Sequence, residues 1–214
     1  MQKLLLVILI FLGILFWFRR TLEREWSAFR TDQKRWWGRM WREWGEPLLM
    51  AAVIAIAIRT FVVGPYKIPT GSMRPTLIEG DRIFVDKWSY HFRLPKRGEI
   101  IVFRYPPDPK KDFVKRLIAF GGEEVVIQGG HVFINGQKFD QLVGVTEHYY
   151  YNRKDWEYGR EGEVIQVPID SFFVLGDNSA QSSDSRNWGF VPKRNLVGRA
   201  FVIWWPLRRM GVLH

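Results

Sequence analysis

At residue 64 the chain changes its period. Before it lie two apolar runs, the unbroken 4–18 and 47–63 with its single charge, joined by a cation-rich connector. Beyond it, apolar and polar residues alternate in short stretches bounded by turn signals. An apolar run with no recurring polar face needs lipid or a deep core, whereas period-two alternation makes strands with one face buried. The alternation predicts strands at 82–88, 99–105, 113–120, 124–128, 131–134, 164–167, 172–175 and 196–204. Between them stand turn signals such as Gln128-Gly129-Gly130, Asn135-Gly136 and Gly176-Asp177-Asn178. The expected fold is mainly β: a partly barrel-like antiparallel domain over 64–214, behind two N-terminal transmembrane helices. The polar stretch 147–163, with three consecutive tyrosines, reads as an exposed loop or subdomain rather than core.

Residues 4–18 span ~22 Å as a helix, short of a ~30 Å hydrocarbon layer, but Lys3 and Arg19-Arg20 can snorkel to the two interfaces. A cleavable signal peptide is the rival reading. The bulky Phe16-Trp17-Phe18 end offers no small-residue cleavage site, so residues 1–20 are taken as a first membrane anchor. The second run, 47–63, has a single charge, Arg59, near its end, and Pro47 suits a first helical turn. It is taken as a second anchor, a buried soluble helix being the weaker reading. In the connector, 21–46, Leu22, Trp26, Phe29, Trp36, Met40 and Trp44 recur near helical spacing, with Gly38 a candidate break. That pattern reads as an amphipathic helix at a lipid interface, or as a stripe packed on protein.

Net charge narrows the partners. The chain carries +10 overall. Residues 19–46 hold eight Lys/Arg against five Asp/Glu, and 64–214 hold 22 against 17. Cations concentrated between apolar runs fit a phospholipid bilayer better than nucleic acid, for which there is no motif. The cationic connector should face the cytoplasm, which puts 64–214 on the extracytoplasmic side of the cell membrane. The chain has no cysteine, which excludes thiol catalysis, disulfides and cysteine-ligated metal.

Six residues past the second run comes Pro69-Thr70-Gly71-Ser72-Met73-Arg74-Pro75-Thr76-Leu77. Its two prolines and glycine argue against helix or central strand, so Ser72 sits on a constrained loop. A serine hydroxyl is a weak nucleophile until a base activates it. His91, His131, His148 and His214 sit in no motif, and no metal-binding spacing occurs. A lysine is the other option. In the strand-like run Asp112-Phe113-Val114-Lys115-Arg116-Leu117-Ile118, Lys115 shares one face with Phe113 and Leu117, and Arg116 shares the other with Val114 and Ile118. One of the two cations must then point where its neighbours would be buried. A buried lysine loses hydration of its charged form and becomes a base near neutrality. On these residues alone an exposed edge-strand cation is the plainer account.

From about residue 47 the chain resembles the bacterial type I signal peptidases, membrane-bound Ser/Lys proteases. The likeness rests on the anchor entering Arg59-Thr60-Phe61, the Gly71 to Leu77 loop, Gly98-Glu99-Ile100-Ile101-Val102-Phe103, Asp112 to Arg116, and Gly176-Asp177-Asn178-Ser179-Ala180-Gln181-Ser182-Ser183-Asp184-Ser185-Arg186, in that order. The resemblance implies Ser72 as nucleophile and Lys115 as general base. It implies an oxyanion hole from the Ser72 N–H and the Thr70 hydroxyl, where serine is also common. It also implies Ser182 as a hydrogen-bonding orienter of the base, Asp184 and Arg186 as a bracing pair, and Gly176 as a motif glycine beside the site. Phe113 stands where tyrosine is frequent, and Gly121-Gly122-Glu123 replaces a Pro-Gly-acidic turn; neither touches the nucleophile or base. The implied substrates are signal peptides of secretory preproteins, cut after Ala-X-Ala sites, with no metal or organic cofactor. Two rivals stay open: a specialised Ser/Lys processing peptidase for one substrate, and a silent membrane-anchored binding domain. The basic connector is alternatively a surface for a translocase partner.

Overall fold

The structure, a computed structural model, describes residues 19–20, 26, 29–30, 32–139 and 149–213. The apolar run 4–18, Leu22, His148 and His214 lie outside them. Two compact units divide the chain, 1–56 and 57–214.

In the first unit, helix α1 (Gln33–Met40) begins where the Asp32 carboxylate accepts the Arg35 N–H at 3.1 Å. This N-cap supplies a partner for an amide that the helix itself leaves open. The helix passes through Gly38, so the expected break is not there. It continues into a π-helical turn (Trp41–Gly45) and then α2 (Glu46–Ala57). Pro47 therefore enters mid-run rather than opening a helix. A proline lacks the N–H and its ring strikes the carbonyl four residues back, and the wider π turn just before it relieves both. Part of the aromatic stripe stacks on itself: Phe29 lies 5.9 Å from Trp26 and 5.1 Å edge-on from Trp36. Trp37, Trp41 and Trp44 are exposed.

Helix α2 buries none of its residues although it is apolar all round beyond Glu46. A second π-helical turn (Ile58–Val62) follows it, and Val63 already belongs to a strand. Among the described residues no helix is long and apolar enough to cross a membrane. The expected span at 47–63 is thus an α-helix of 12 residues, ~18 Å long, prolonged only by the π turn.

The second unit is mainly antiparallel β. Its strands are β1 (Val63–Lys67), β2 (Arg82–Asp86), β3 (Ile100–Arg104), β4 (Asp112–Phe120), β5 (Glu124–Gln128), β6 (His131–Ile134), β7 (Gln137–Lys138), β8 (Val164–Gln166), β9 (Ser171–Leu175), β10 (Val191–Pro192), β11 (Leu196–Trp205) and β12 (Gly211–Val212). The larger sheet runs β1-β2-β11-β3-β4-β9-β10, with β12 also on β11; the smaller runs β7-β6-β5-β8. Register shifts interrupt β11 against both β2 and β3, and β4 against β9. Such bulges bend and twist strands, which curls the sheet while its hydrogen-bonded path stays open from β1 to β10. The barrel is only partial.

Alternation located every strand of four or more residues in this unit except β1. Pro65 hides that one, and it is tolerated because β1 is a sheet edge paired only with β2. The two-residue strands β7, β10 and β12 are too short to carry a period. One apolar cluster joins Ile68, Met73, Leu77, Ile83, Val85, Ile100, Val102, Ala200, Ile203 and Leu213, and so ties the serine loop to β2, β3 and β11. Another, around Ile118, Val125, Ile127, Val132, Ile165 and Phe173, joins the small sheet to β4 and β9.

The stretch 149–163 holds no helix or strand and is mostly exposed, as expected of a loop, but part of it turns inward. Tyr150 and Trp156 are buried, and Tyr150 belongs to the core around Ile118. Polar composition gave no sign of these two rings, which also lie over the buried Arg186.

Candidate active site

Three segments converge on Ser72. The first is its own loop. Ile68 N–H donates to Asp81 O, and Gly80 N–H returns a bond to Ile68 O, each at 2.9 Å, which pinches the loop shut at its base. Within it, Arg74 N–H donates to Gly71 O at 3.1 Å and Leu77 N–H to Met73 O at 2.9 Å. Met73 and Leu77 anchor it in the core. The serine is thus carried on a rigid turn.

The second segment is β4, which pairs Lys115 with Ile101 and Arg116 with Ile100 and Leu175. The sequence required one cation to enter a buried position; the structure buries both, in different ways. Arg116 forms a two-pronged bond to Asp177, Nε to Oδ1 at 2.8 Å and Nη2 to Oδ2 at 2.7 Å, and donates to Gly98 O at 2.7 Å. Its charge is compensated. Lys115, only 4% exposed, has no carboxylate within ion-pair distance among the described residues. Its Nζ donates to Ser72 Oγ at 2.7 Å and lies 5.5 Å from the centre of the Phe113 ring. Burial drives its pKa down from 10.5 to about 8, helped by Arg186 and opposed by the charges of Asp184 and Asp177. A substantial neutral fraction therefore exists near pH 8, where an ordinary lysine has almost none.

The third segment follows β9. Asn178 N–H donates to Ser72 O, and its Nδ2 to Gly71 O, both at 3.0 Å, so this side chain and backbone grip the serine loop directly. Thr76 Oγ1 donates to Asp177 Oδ2 at 2.5 Å, tying the loop to the carboxylate that holds Arg116. Gly176 sits where a Cβ would collide with the Ser182 side chain and come within 2.5 Å of Ser72 O. Here glycine is needed for close approach, not for an unusual backbone angle. Its N–H donates to Asp184 Oδ2 at 2.9 Å.

Asp184 and Arg186 are fully buried and joined by two bonds of 2.9 and 2.8 Å. Arg186 also donates to Tyr151 O and Ser179 Oγ, and it lies over the Trp156 ring at 4.6 Å. Ser182 is buried beside Gly176, but its Oγ makes no hydrogen bond among the described residues and so does not hold Lys115 here. Thr70 is exposed and lines, with Ser72, Lys115, Ile68, Phe113 and Val114, a cleft of about 290 Å³. Neither the Thr70 hydroxyl nor the Ser72 N–H has a hydrogen-bond acceptor among the described residues.

The seven residues singled out in the sequence therefore gather in one place. Missed as supports were Asp177, Asn178, Thr76, Tyr150 and Trp156. The first two stood in the quoted Gly176-Asp177-Asn178 stretch, read there only as a turn signal and a point of likeness. A cation next to Lys115 in a buried strand should have prompted a search for its carboxylate. For Tyr150 and Trp156 no sequence signal existed.

A β scaffold that holds a serine hydroxyl against a buried amine, over a small apolar cleft, is the architecture of a serine hydrolase. Residues 41–205 match the family model described as signal peptidase, peptidase S26, and the chain belongs to that family of serine peptidases. It is 44% identical over 179 residues to the probable signal peptidase I-2 of Synechocystis sp., covering 81% of this chain and 77% of that one. Against signal peptidase I of Leptolyngbya laminosa it is 44% identical over 171 residues, with 77% and 79% covered. Against signal peptidase I P of Bacillus subtilis subsp. natto the identity is 34% over 174 residues, with 78% and 91% covered.

Proposed function

We propose that this chain is a membrane-bound serine endopeptidase that removes signal peptides from exported preproteins, with Ser72 as nucleophile and Lys115 as general base. The observation that carries the reading is the 2.7 Å contact between Ser72 Oγ and a buried lysine with no carboxylate at ion-pair distance among the described residues. Neutral Lys115 Nζ takes the Ser72 proton as Oγ attacks the scissile carbonyl. The oxyanion is held by the Ser72 N–H and the Thr70 hydroxyl, two donors with no acceptor among the described residues. Protonated Lys115 then gives its proton to the leaving amine. Water, deprotonated by the same amine, hydrolyses the acyl ester and restores Ser72. Arg116–Asp177 and Asp184–Arg186 keep cations and carboxylates paired around Lys115 so that its own charge stays the uncompensated one. A cleft of about 290 Å³, walled by Ile68, Phe113 and Val114, suits small side chains at the cut.

Membrane attachment is part of the same reading. Helix α2 exposes Leu48, Leu49, Met50, Val53, Ile54 and Ile56, an apolar surface with no protein cover among the described residues. With the cations and tryptophans of the connector beside it, that surface fits a bilayer and its anionic headgroups. Residues 64–214 then work on the extracytoplasmic side.

The test is cleavage of one secretory preprotein by the full chain reconstituted in vesicles. Ser72→Ala and Lys115→Ala should each remove activity while leaving the fold intact by circular dichroism. An active, folded Lys115→Ala enzyme would sink the amine-base mechanism.

A further inference from the structure

The family match ends at residue 205, yet the segment just beyond it reaches back to the nucleophile loop. A short 3-10 turn (Leu207–Arg209) follows β11, and β12 then returns along it, pairing Val212 with Val202 and Gly211 with Ile203. Two side chains of this segment engage the loop. Leu213 enters the apolar cluster that holds Met73 and Leu77, which follow Ser72 in its loop. Arg209 grips the loop's polar end. Its Nε donates to Asp81 Oδ1 and its Nη2 to Asp81 Oδ2, both at 3.0 Å, and Nη2 also reaches Thr76 O at 3.3 Å.

Asp81 is 1% exposed, so its carboxylate depends on these bonds and on the Ile78 N–H, which donates to it at 2.9 Å. It stands where the loop closes, its backbone bonded to Ile68. Thr76 in turn bonds Asp177, the partner of Arg116, next in sequence to Lys115. One guanidinium therefore touches both the closure of the Ser72 loop and the residue through which that loop is bonded to β4's buried ion pair.

We propose that residues 206–213 form a latch on the nucleophile loop, and that Arg209 is a positioning residue for the Ser72–Lys115 contact, acting through Asp81 and Thr76. It touches neither substrate nor reacting atoms. Its bidentate, planar geometry is what spans carboxylate and carbonyl together; a lysine can neutralise Asp81 but cannot hold both in one fork. The inference rests on the proposed Ser/Lys chemistry.

The experiment uses the full chain in vesicles with one preprotein, comparing wild type, Ser72→Ala, Arg209→Ala and Arg209→Lys. Loosening the loop should misplace Ser72 by a fraction of an ångström, so Arg209→Ala should lower kcat between about 10- and 100-fold with KM little changed. Its rate should still rise with pH through the same lysine titration, because Lys115 keeps its burial. Arg209→Lys should recover part of the loss. Should Arg209→Ala melt below the assay temperature, Arg209→Lys alone decides: a stable enzyme with intermediate kcat supports the latch. Wild-type kcat in a folded Arg209→Ala enzyme, or wild-type kcat in Arg209→Lys when the alanine variant does not fold, would overturn it. A loss confined to KM would move Arg209 to substrate binding and also overturn it. Activity surviving Ser72→Ala would instead refute the underlying chemistry.

Discussion

Lys115 is the residue on which charge, burial and chemistry meet. Its pKa, pushed down from 10.5 to about 8, has two consequences with definite signs. In the proposed chemistry activity needs the neutral amine, so kcat/KM should climb with pH and level off above about 8; a profile governed only by a group near 10 would contradict the burial. Stability follows the proton count. Between about pH 8 and 10.5 the unfolded chain binds a proton that the folded one does not, so this lysine's penalty is full below 8 and disappears as pH rises through that window. Lys115→Met should accordingly be inactive yet more resistant to denaturant at pH 7, by no more than about 3 kcal/mol, and the gain should vanish near pH 10.5. A methionine variant less stable than wild type at pH 7 would argue that the charged amine is solvated. Removing Asp177 works the other way. Asp177→Ala leaves Arg116 buried without its carboxylate and should cost about 3–5 kcal/mol in urea unfolding. That residue was legible only as part of a motif, since no single sequence shows that a carboxylate 61 residues on will meet Arg116.

At the scale of elements, β4, the end of β9 and the serine loop act as three jaws. Their closest point is Gly176, where any Cβ runs into Ser182 and the Ser72 carbonyl. Gly176→Ala should cost about 1–3 kcal/mol of stability and lower kcat further than stability alone explains, because the displaced atom belongs to the backbone of Ser72, the proposed nucleophile. Unchanged kcat, measured well below the melting temperature, would mean that the loop shifts without consequence. The strands themselves were readable, since β2, β3, β4, β5, β6, β8, β9 and β11 follow the alternation within one or two residues. Edge strand β1 was not, because a proline is a strand breaker everywhere except at an edge, and edges exist only once the sheet is assembled. The burial of Tyr150 and Trp156 was hidden for a related reason. Aromatic residues in a polar stretch pack on Arg186, a group that composition assigns to the surface.

Over the whole molecule, the two units are joined within one helical run. Beyond Glu46, helix α2 presents apolar side chains outward, and the connector before it presents cations and tryptophans. Retention of the full chain on vesicles should therefore grow with the anionic lipid fraction, and Trp37→Ala/Trp41→Ala/Trp44→Ala should weaken that growth while leaving preprotein cleavage in detergent unchanged. Equal retention on neutral and anionic vesicles at low salt would remove the connector's headgroup role. The second apolar run ends in a π turn and passes directly into β1, so a paired strand leads from it to the loop bearing Ser72.

By itself the sequence determined what local chemistry dictates. It marked the change of period at residue 64, most of the strands, a constrained loop bearing Ser72 and, through resemblance, the lysine 43 residues away. These are properties of neighbours in the chain, where side-chain period, proline and glycine act over a few residues. The tertiary structure alone decided which cation stays uncompensated, since Lys115 and Arg116 differ only in what the fold brings opposite them. It also left the Ser182 hydroxyl without its expected bond to the base, and carried Arg209 to Asp81 across 128 residues. Burial and pairing are long-range facts, set by packing among segments whose separation along the chain carries no trace of their contact.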